Sequence, residues 1–349
     1  MHWKRVGRSS VCVDRPCKAP PDQTDLDSAR KLVLFSFLAL LAVLGGLATG
    51  SVALGTDELV SALLMRDGVA SDIVWQLRAP RVFAAFVTGA LLSVAGCFLQ
   101  TLLRNPLADP YIFGVSSGAA AGMLAAMLLG LTMDVGYVLG FCGAAGVVVL
   151  VALLSYRVSD WNPYRLLLTG VMVAAGLNAL ISLALVLAPS VQVKGMLFWL
   201  MGDLTYATPP FGSALLLCFL VILSIVLGTA IDALSLGRLK AASLGVATRS
   251  IEFMLYLGAA AATAAAVLTA GTIGFVGLVV PHLVRLCGIH DHRVLVPFSA
   301  LLGGSLVIVA DTVARSAWAP VQLPVGILTA LVGVPMLLLL LGRQADAAR

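Results

Sequence analysis

Charge is scarce in this sequence. Only 11% of its 349 residues are Asp, Glu, Lys or Arg, against about 25% in a soluble domain, and 60% are hydrophobic. With a mean hydropathy of +1.03, this composition excludes a string of soluble domains. No G-x-x-x-x-G-K-[S/T] stretch occurs, so the chain lacks a P-loop to cradle nucleotide phosphates. No polar run is long enough to house a nucleotide-binding domain. Ser–His–Asp, Cys–His and H-E-x-x-H arrangements are missing too, which leaves no candidate catalytic residue. The six cysteines, Cys12, Cys17, Cys97, Cys142, Cys218 and Cys287, have no metal-ligand spacing and read as small hydrophobes and incidental thiols. His282, His290 and His292 cluster but likewise suggest no metal site. A net charge of +5 could suit nucleic acid, but its distribution argues otherwise.

What the sequence has is long charge-free runs: 32–56, 82–103, 110–133, 135–156, 166–193, 204–231, 253–284, 294–310 and 316–342. Most match one crossing of a hydrocarbon core of ~30 Å. As a helix, 253–284 would reach about 48 Å, too long for one comfortable crossing. Gly271, Gly274 and Gly277 punctuate it, and two short spans breaking near Gly271–Gly274 fit better. The expected fold is an all-α polytopic membrane protein of about ten transmembrane helices over 32–343. Residues 1–31 are expected to be a disordered cytoplasmic tail and 344–349 a second cytoplasmic tail. The apolar stretch after Lys31 is too long for a signal-peptide core and reads as the first span. An apolar helix followed by a turn recurs at Gly89–Pro110 and Gly258–Pro281. That leaves open an inverted repeat of two five-helix halves.

Positive charge sets the orientation. With both termini inside, all but five of the 22 Lys and Arg fall inside, the positive-inside bias of a polytopic protein. It accounts for the basic balance without nucleic acid. The five outside are Arg66, Arg78, Arg81, Lys194 and Arg315. Interfacial snorkelling is the plain reading of those that flank spans. Asp311 is the one acid well inside a span, and Arg315, four residues on, offers an i,i+4 partner.

The stretch Arg78–Gly118, RAPRVFAAFVTGALLSVAGCFLQTLLRNPLADPYIFGVSSG, organises the rest. Its R-x-P-R start, the helix reaching Gln100, the turn R-N-P-L-A-D-P and the G-V-S-S-G that follows resemble the FecCD-type permease subunits of ABC importers for iron–siderophore, haem and cobalamin. Three later segments agree: GTIGFVGLVVPHLVRL (Gly271–Leu286), DHRVLVPFSALLGGSLVIVADTVAR (Asp291–Arg315) and LPVGILTALVGVPMLLLLL (Leu323–Leu341).

The resemblance implies a bacterial inner-membrane importer subunit that moves a bulky metal chelate by alternating access. Its partners would be a second copy of the permease, two ATPase subunits, a periplasmic substrate-binding protein and membrane lipid, with no nucleic acid. ATP and Mg would sit on the ATPase, with no cofactor on this chain. By the same resemblance, Arg78, Arg81 and Arg315 would dock the binding protein from an outer rim. Asn162, Pro163 and Tyr164 would form the cytoplasmic gate, where the family carries small hydroxyl residues. Leu236, Gly237, Arg238, Ala241, Leu244, Gly245 and Val246 would lie in a loop of two short coupling helices seated in the ATPase. A short helix around Met196–Met201 would lie at the outer mouth. The residues alone also allow a solvated loop at 236–246 and an interfacial anchor at Tyr164. An ion-coupled secondary transporter is the alternative, supported only by Asp311 and the Gly271–Gly277 break. An intramembrane enzyme is opposed by the lack of a nucleophile or metal set.

Overall fold

The computed structural model describes residues 21–52, 54–65, 68–156, 163–205 and 207–347. Asn162 of the expected gate, Arg66 and most of the N-terminal tail lie outside the described residues. Among the described residues, seven helices are long and apolar enough to cross a membrane, α1 (Pro21–Ala48), α4 (Ala79–Leu103), α6 (Met133–Tyr156), α7 (Pro163–Leu187), α9 (Phe211–Ser235), α11 (Thr248–Ala270) and α13 (His292–Ser316), and three with shorter apolar stretches, α5 (Val115–Leu128), α12 (Val276–Leu286) and α14 (Val325–Ala347), complete a set of ten. Four short helices join them: α2 (Thr56–Met65), α3 (Val69–Asp72), α8 (Ser190–Leu200) and α10 (Arg238–Ser243). The tail boundary expected at residue 31 falls inside α1. The runs beginning at 204 and 316 start later as helices, at Phe211 and Val325, because Pro209, Pro210, Pro320 and Pro324 hold the preceding chain out of helical geometry.

The second span is longer than its charge-free run. α3, a π-helical stretch (Ile73–Arg78) and α4 form one rod, Val69–Leu103. Pro80 explains the π stretch. It has no N–H for the carbonyl of Gln76, and the ladder slips so that Ala79 N–H donates to Val74 O. α4 is buried along nearly all its length and packs against α9, α11, α12 and α13, so it is the pole of the bundle. Small residues allow the close approach. A Cβ on Gly96 would lie 1.8 Å from Gly277 O, and only paired glycines let α4 and α12 touch there.

Two faces follow from the packing. Arg78 reaches the last carbonyls of α1, and the start of α14 donates to Gly202 and Met201. This is the Arg78 face. On the other, Arg104 ends α4, Gly237 lies beside it, and Lys31 of α1 lies beside Gly288 after α12. α1 therefore starts, and α14 ends, on the Arg104 face.

Candidate functional site

Two irregular stretches enter the bundle, one re-entering it from the Arg104 face and one inside it, and they meet. At the first, Arg104 adopts a left-handed conformation (φ 49°) and ends α4, with Asn105 N–H donating to Gln100 O at 3.0 Å. The chain then turns twice by the same device. Asn105 Oδ1 accepts from Leu107 N–H across Pro106 (2.9 Å), and Asp109 Oδ1 accepts from Tyr111 N–H across Pro110 (2.8 Å). This is the physical content of R-N-P-L-A-D-P. The turns carry Pro110 back to Leu92 and Gly277, and α5 starts beside Gly170 and Ala174 of α7, well inside the bundle.

At the second break, α11 ends at Ala270, the chain is irregular through Phe275, and α12 starts at Val276. This is where the glycines place it. Phe275 takes a left-handed φ of 69°, uncommon for a bulky residue. Gly333 of α14 makes room for it. The unit α4–break–α5 runs toward the Arg104 face and back; α11–break–α12 runs toward the Arg78 face and back. The two units have opposite senses.

Irregular backbone at membrane depth needs internal partners, because lipid offers none. Side chains from the first unit supply them to the second. Tyr111 Oη accepts from Ile273 N–H (2.8 Å) and donates to Ile273 O (3.0 Å). Gln100 Nε2 donates to Gly277 O (3.3 Å) and Leu278 O (3.2 Å), and Gln100 Oε1 accepts from Arg285 at 2.5 Å. Thr272 donates its hydroxyl to Leu200 O at the end of α8.

On the Arg78 face, the three arginines expected as an exposed rim converge but are buried, with relative exposures of 4% for Arg78, 8% for Arg81 and 4% for Arg315. Arg78 caps the C-terminus of α1 through Leu47 O, Ala48 O and Val52 O (2.8, 2.8 and 2.5 Å). Arg81 clasps Asp311 and donates to Gln322 Oε1 at 2.8 Å. Arg315 donates to Gly46 O (2.5 Å) and lies 3.6 Å from Asp311. The expected Asp311–Arg315 pair is present, but the shorter contact is to Arg81. All three arginines line one cleft of about 470 Å³. Asp311 has both oxygens engaged by guanidiniums, which leaves little to bind a coupling ion.

The expected helix near Met196–Met201 is α8, which starts earlier. It buries Met196 and Trp199 against the bundle and leaves most of its other residues exposed or half-buried. On the Arg104 face, α10 follows Gly237, whose φ of 115° only glycine adopts readily. One short helix stands where two were expected, because Thr248 opens α11 directly after the Gly245 turn. Ala241 is buried and accepts from Val246 N–H (3.1 Å), whereas Leu236, Leu239 and Leu244 are exposed by 63%, 88% and 67%. Arg238 lies 3.9 Å from the buried Glu252. Pro163 is buried at the start of α7, and Tyr164 is exposed beside it. Sequence reading missed a linkage under this surface: Asp232 Oδ1 meets His292 Nδ1 at 2.5 Å, and His292 Nε2 meets Thr101 Oγ1 at 2.7 Å. It joins α9, α13 and α4.

Broken spans in opposite senses, a buried pole and an exposed leucine-bearing loop make a multi-pass membrane permease. Residues 37–343 match the FecCD transport family, and the chain belongs to it. Among its relatives, the vitamin B12 import system permease protein BtuC of Salmonella paratyphi A is 35% identical over 322 residues, covering 91% of this chain and 96% of the relative. BtuC of Salmonella typhi matches to the same extent. A solved structure described as an inward-facing conformation of a metal-chelate type ABC transporter superposes with a TM-score of 0.77 at 27% identity, covering 90% of this chain and 99% of that one. PsaBC of Streptococcus pneumoniae in complex with Fab shares the fold at a TM-score of 0.55 and 16% identity, covering 81% and 94%.

Proposed function

We propose that this chain is the membrane conduit of an ATP-driven importer for a bulky metal chelate, with vitamin B12 the first substrate to test and iron–siderophore or haem the next. The observation that carries the coupling is the loop around α10. Three exposed leucines, Leu236, Leu239 and Leu244, stand among Arg238 and Lys240 outside the spans. Leucines so exposed on a polar loop mark a partner surface, and an ATPase cleft that holds a short helix suits them. ATP and Mg belong to that ATPase, and this chain binds no cofactor of its own. The Arg104 face is then cytoplasmic, which agrees with the positive-inside bias, and both termini are cytoplasmic.

A second copy of the permease covers α7. Only 11% of that span's most apolar stretch is buried within this chain, and its exposed face continues from Tyr164 to Leu187. Pro163 and Tyr164 then close the cytoplasmic end of the shared pathway. A periplasmic binding protein docks on the Arg78 face. Three guanidiniums against one carboxylate leave the cleft there net positive, which steers acidic side chains toward it.

Reconstitution in proteoliposomes with a partner ATPase and a binding protein from the same organism tests this reading. Chelate uptake that requires ATP and the binding protein is expected. Uptake driven by a proton or sodium gradient with no ATPase present would replace it with the secondary-transporter reading.

A further inference from the structure

We propose that the cavity at the start of α5 is a substrate subsite that receives hydrogen-bond-accepting oxygens, carboxylate or amide carbonyl, on the rim of the passing chelate. Ser116 and Asn178 are its donors. The proposal rests on the permease reading above.

The cavity measures about 470 Å³ and lies between α5, α7 and the break at Thr272. Its depth is set by α7. Asn178 stands about 22 Å along that helix from Pro163 and about 14 Å from Leu187, well away from both ends of the span. It is nevertheless exposed within this chain. An amide facing hydrocarbon at that depth is costly, so intramembrane polar side chains point to a pathway by default. Most polar groups around the cavity are committed. Tyr111 serves Ile273, Thr272 serves Leu200 O, and Ser182 donates to Asn178 O. Ser117 donates to Asn178 Oδ1 at 3.1 Å, so the bond engages the amide oxygen and leaves the Asn178 amide N–H groups available to a ligand in the cavity that Asn178 lines.

Two further observations aim donors at the same place. Ser116 is only 6% exposed, lines the cavity, and has no hydrogen-bond partner among the described residues. That hydroxyl is open to the cavity, so an acceptor bound there could use it. α5 also begins here with no side-chain cap, and its first intrahelical bond is Gly118 N–H to Gly114 O. The N–H groups of Val115, Ser116 and Ser117 are therefore unused by the helix, and they carry the positive end of its dipole. No acid lines the cavity, so nothing there neutralises the charge of a bare cation. Donors with no counter-charge select oxygen acceptors.

The permease assembled with its ATPase and binding protein is tested with vitamin B12 and a ferric tris-hydroxamate, both oxygen-rich at their rims. Asn178→Asp places an acceptor in the subsite from within. We expect it to lower uptake at sub-saturating chelate at least tenfold at unchanged basal ATP hydrolysis, while Asn178→Gln, which keeps the amide, stays within threefold of wild type. Uptake by Asn178→Asp equal to wild type, or a parallel loss of ATP hydrolysis, would overturn the proposal. Asn178→Cys in a background lacking the other cysteines gives a second readout. An anionic methanethiosulfonate should label it at least fivefold faster than a cationic one of similar size. No labelling, or a cationic preference, overturns the subsite. If wild type imports neither probe, the chelate reading fails, and the subsite is judged on labelling alone.

Discussion

Arg81 and Asp311 lie 230 positions apart and meet in a bidentate pair, with Arg81 Nε 3.0 Å from both carboxylate oxygens and Nη2 2.8 Å from Oδ1. The pair bolts the start of α4 to the end of α13, and Arg315 completes it from one turn further along α13. Neither partner can be removed without stranding charge in the bundle.

Asp311→Ala should therefore lower stability by about 3–5 kcal/mol, the usual cost of leaving a buried charge unpaired. Thermal unfolding in detergent or nanodiscs measures it. Arg81→Met combined with Asp311→Leu should recover part of the loss, since it removes the stranded Arg81 charge while leaving Arg315 without its carboxylate. A double variant no better than Asp311→Ala would mean that the pair is not what stabilises this corner.

Tyr111→Phe deletes one hydroxyl and strands two backbone groups, Ile273 N–H and Ile273 O. A loss of about 1–3 kcal/mol is expected. Faster amide hydrogen exchange at Ile273 is the specific mark, because Thr272 and the end of α8 still hold the neighbouring backbone. Unchanged exchange there would show that water already serves the break.

Gly96→Val should abolish accumulation of folded protein. Its Cβ would overlap the backbone of α12, which cannot move aside as a side chain tip can. Gly146→Ala is the control: a Cβ there has nothing within 4 Å and should be silent. Immunoblots of membrane fractions and size-exclusion profiles distinguish the two.

Leu239→Glu should leave the permease folded, since the side chain is 88% exposed, and should reduce retention of the ATPase on affinity purification at least tenfold. Ala241→Glu, at a buried position, should instead destabilise α10 itself. Equal retention by Leu239→Glu and wild type would separate the leucines from the ATPase.

The sequence makes some of this legible and not the rest, for physical reasons. Charge-free runs reveal spans because a hydrocarbon solvent penalises charge wherever it occurs. Glycines reveal the Gly271 break because they relax the local backbone. The turn at Arg104–Pro110 is readable because Asn105 and Asp109 act on their own neighbours. The long-range pairs are hidden. Arg78 looks like an exposed cation until α1 is folded beside it and its carbonyls become the partners. Asp311 finds a local partner by spacing, but its closer one comes from another helix. The Asp232–His292–Thr101 linkage joins three helices, and no periodicity in any one of them announces it. The place of α8 was legible, but not which of its residues pack inward, because Trp199 and Met196 are chosen by α5 and the Thr272 break.

The broken spans also bear on how the chain is made. α12 has 11 residues and α5 has 14, about 17 and 21 Å of helix, too short to partition into the bilayer as independent segments. Each must enter the membrane alongside the long helix that precedes it, as a hairpin whose turn becomes satisfied only when Gln100, Tyr111 and the second break arrive. Biogenesis is thus not finished when the last segment leaves the translocon. Variants weakened at this crossing should be lost to quality control as mis-threaded chains before they could ever be assayed as slow transporters.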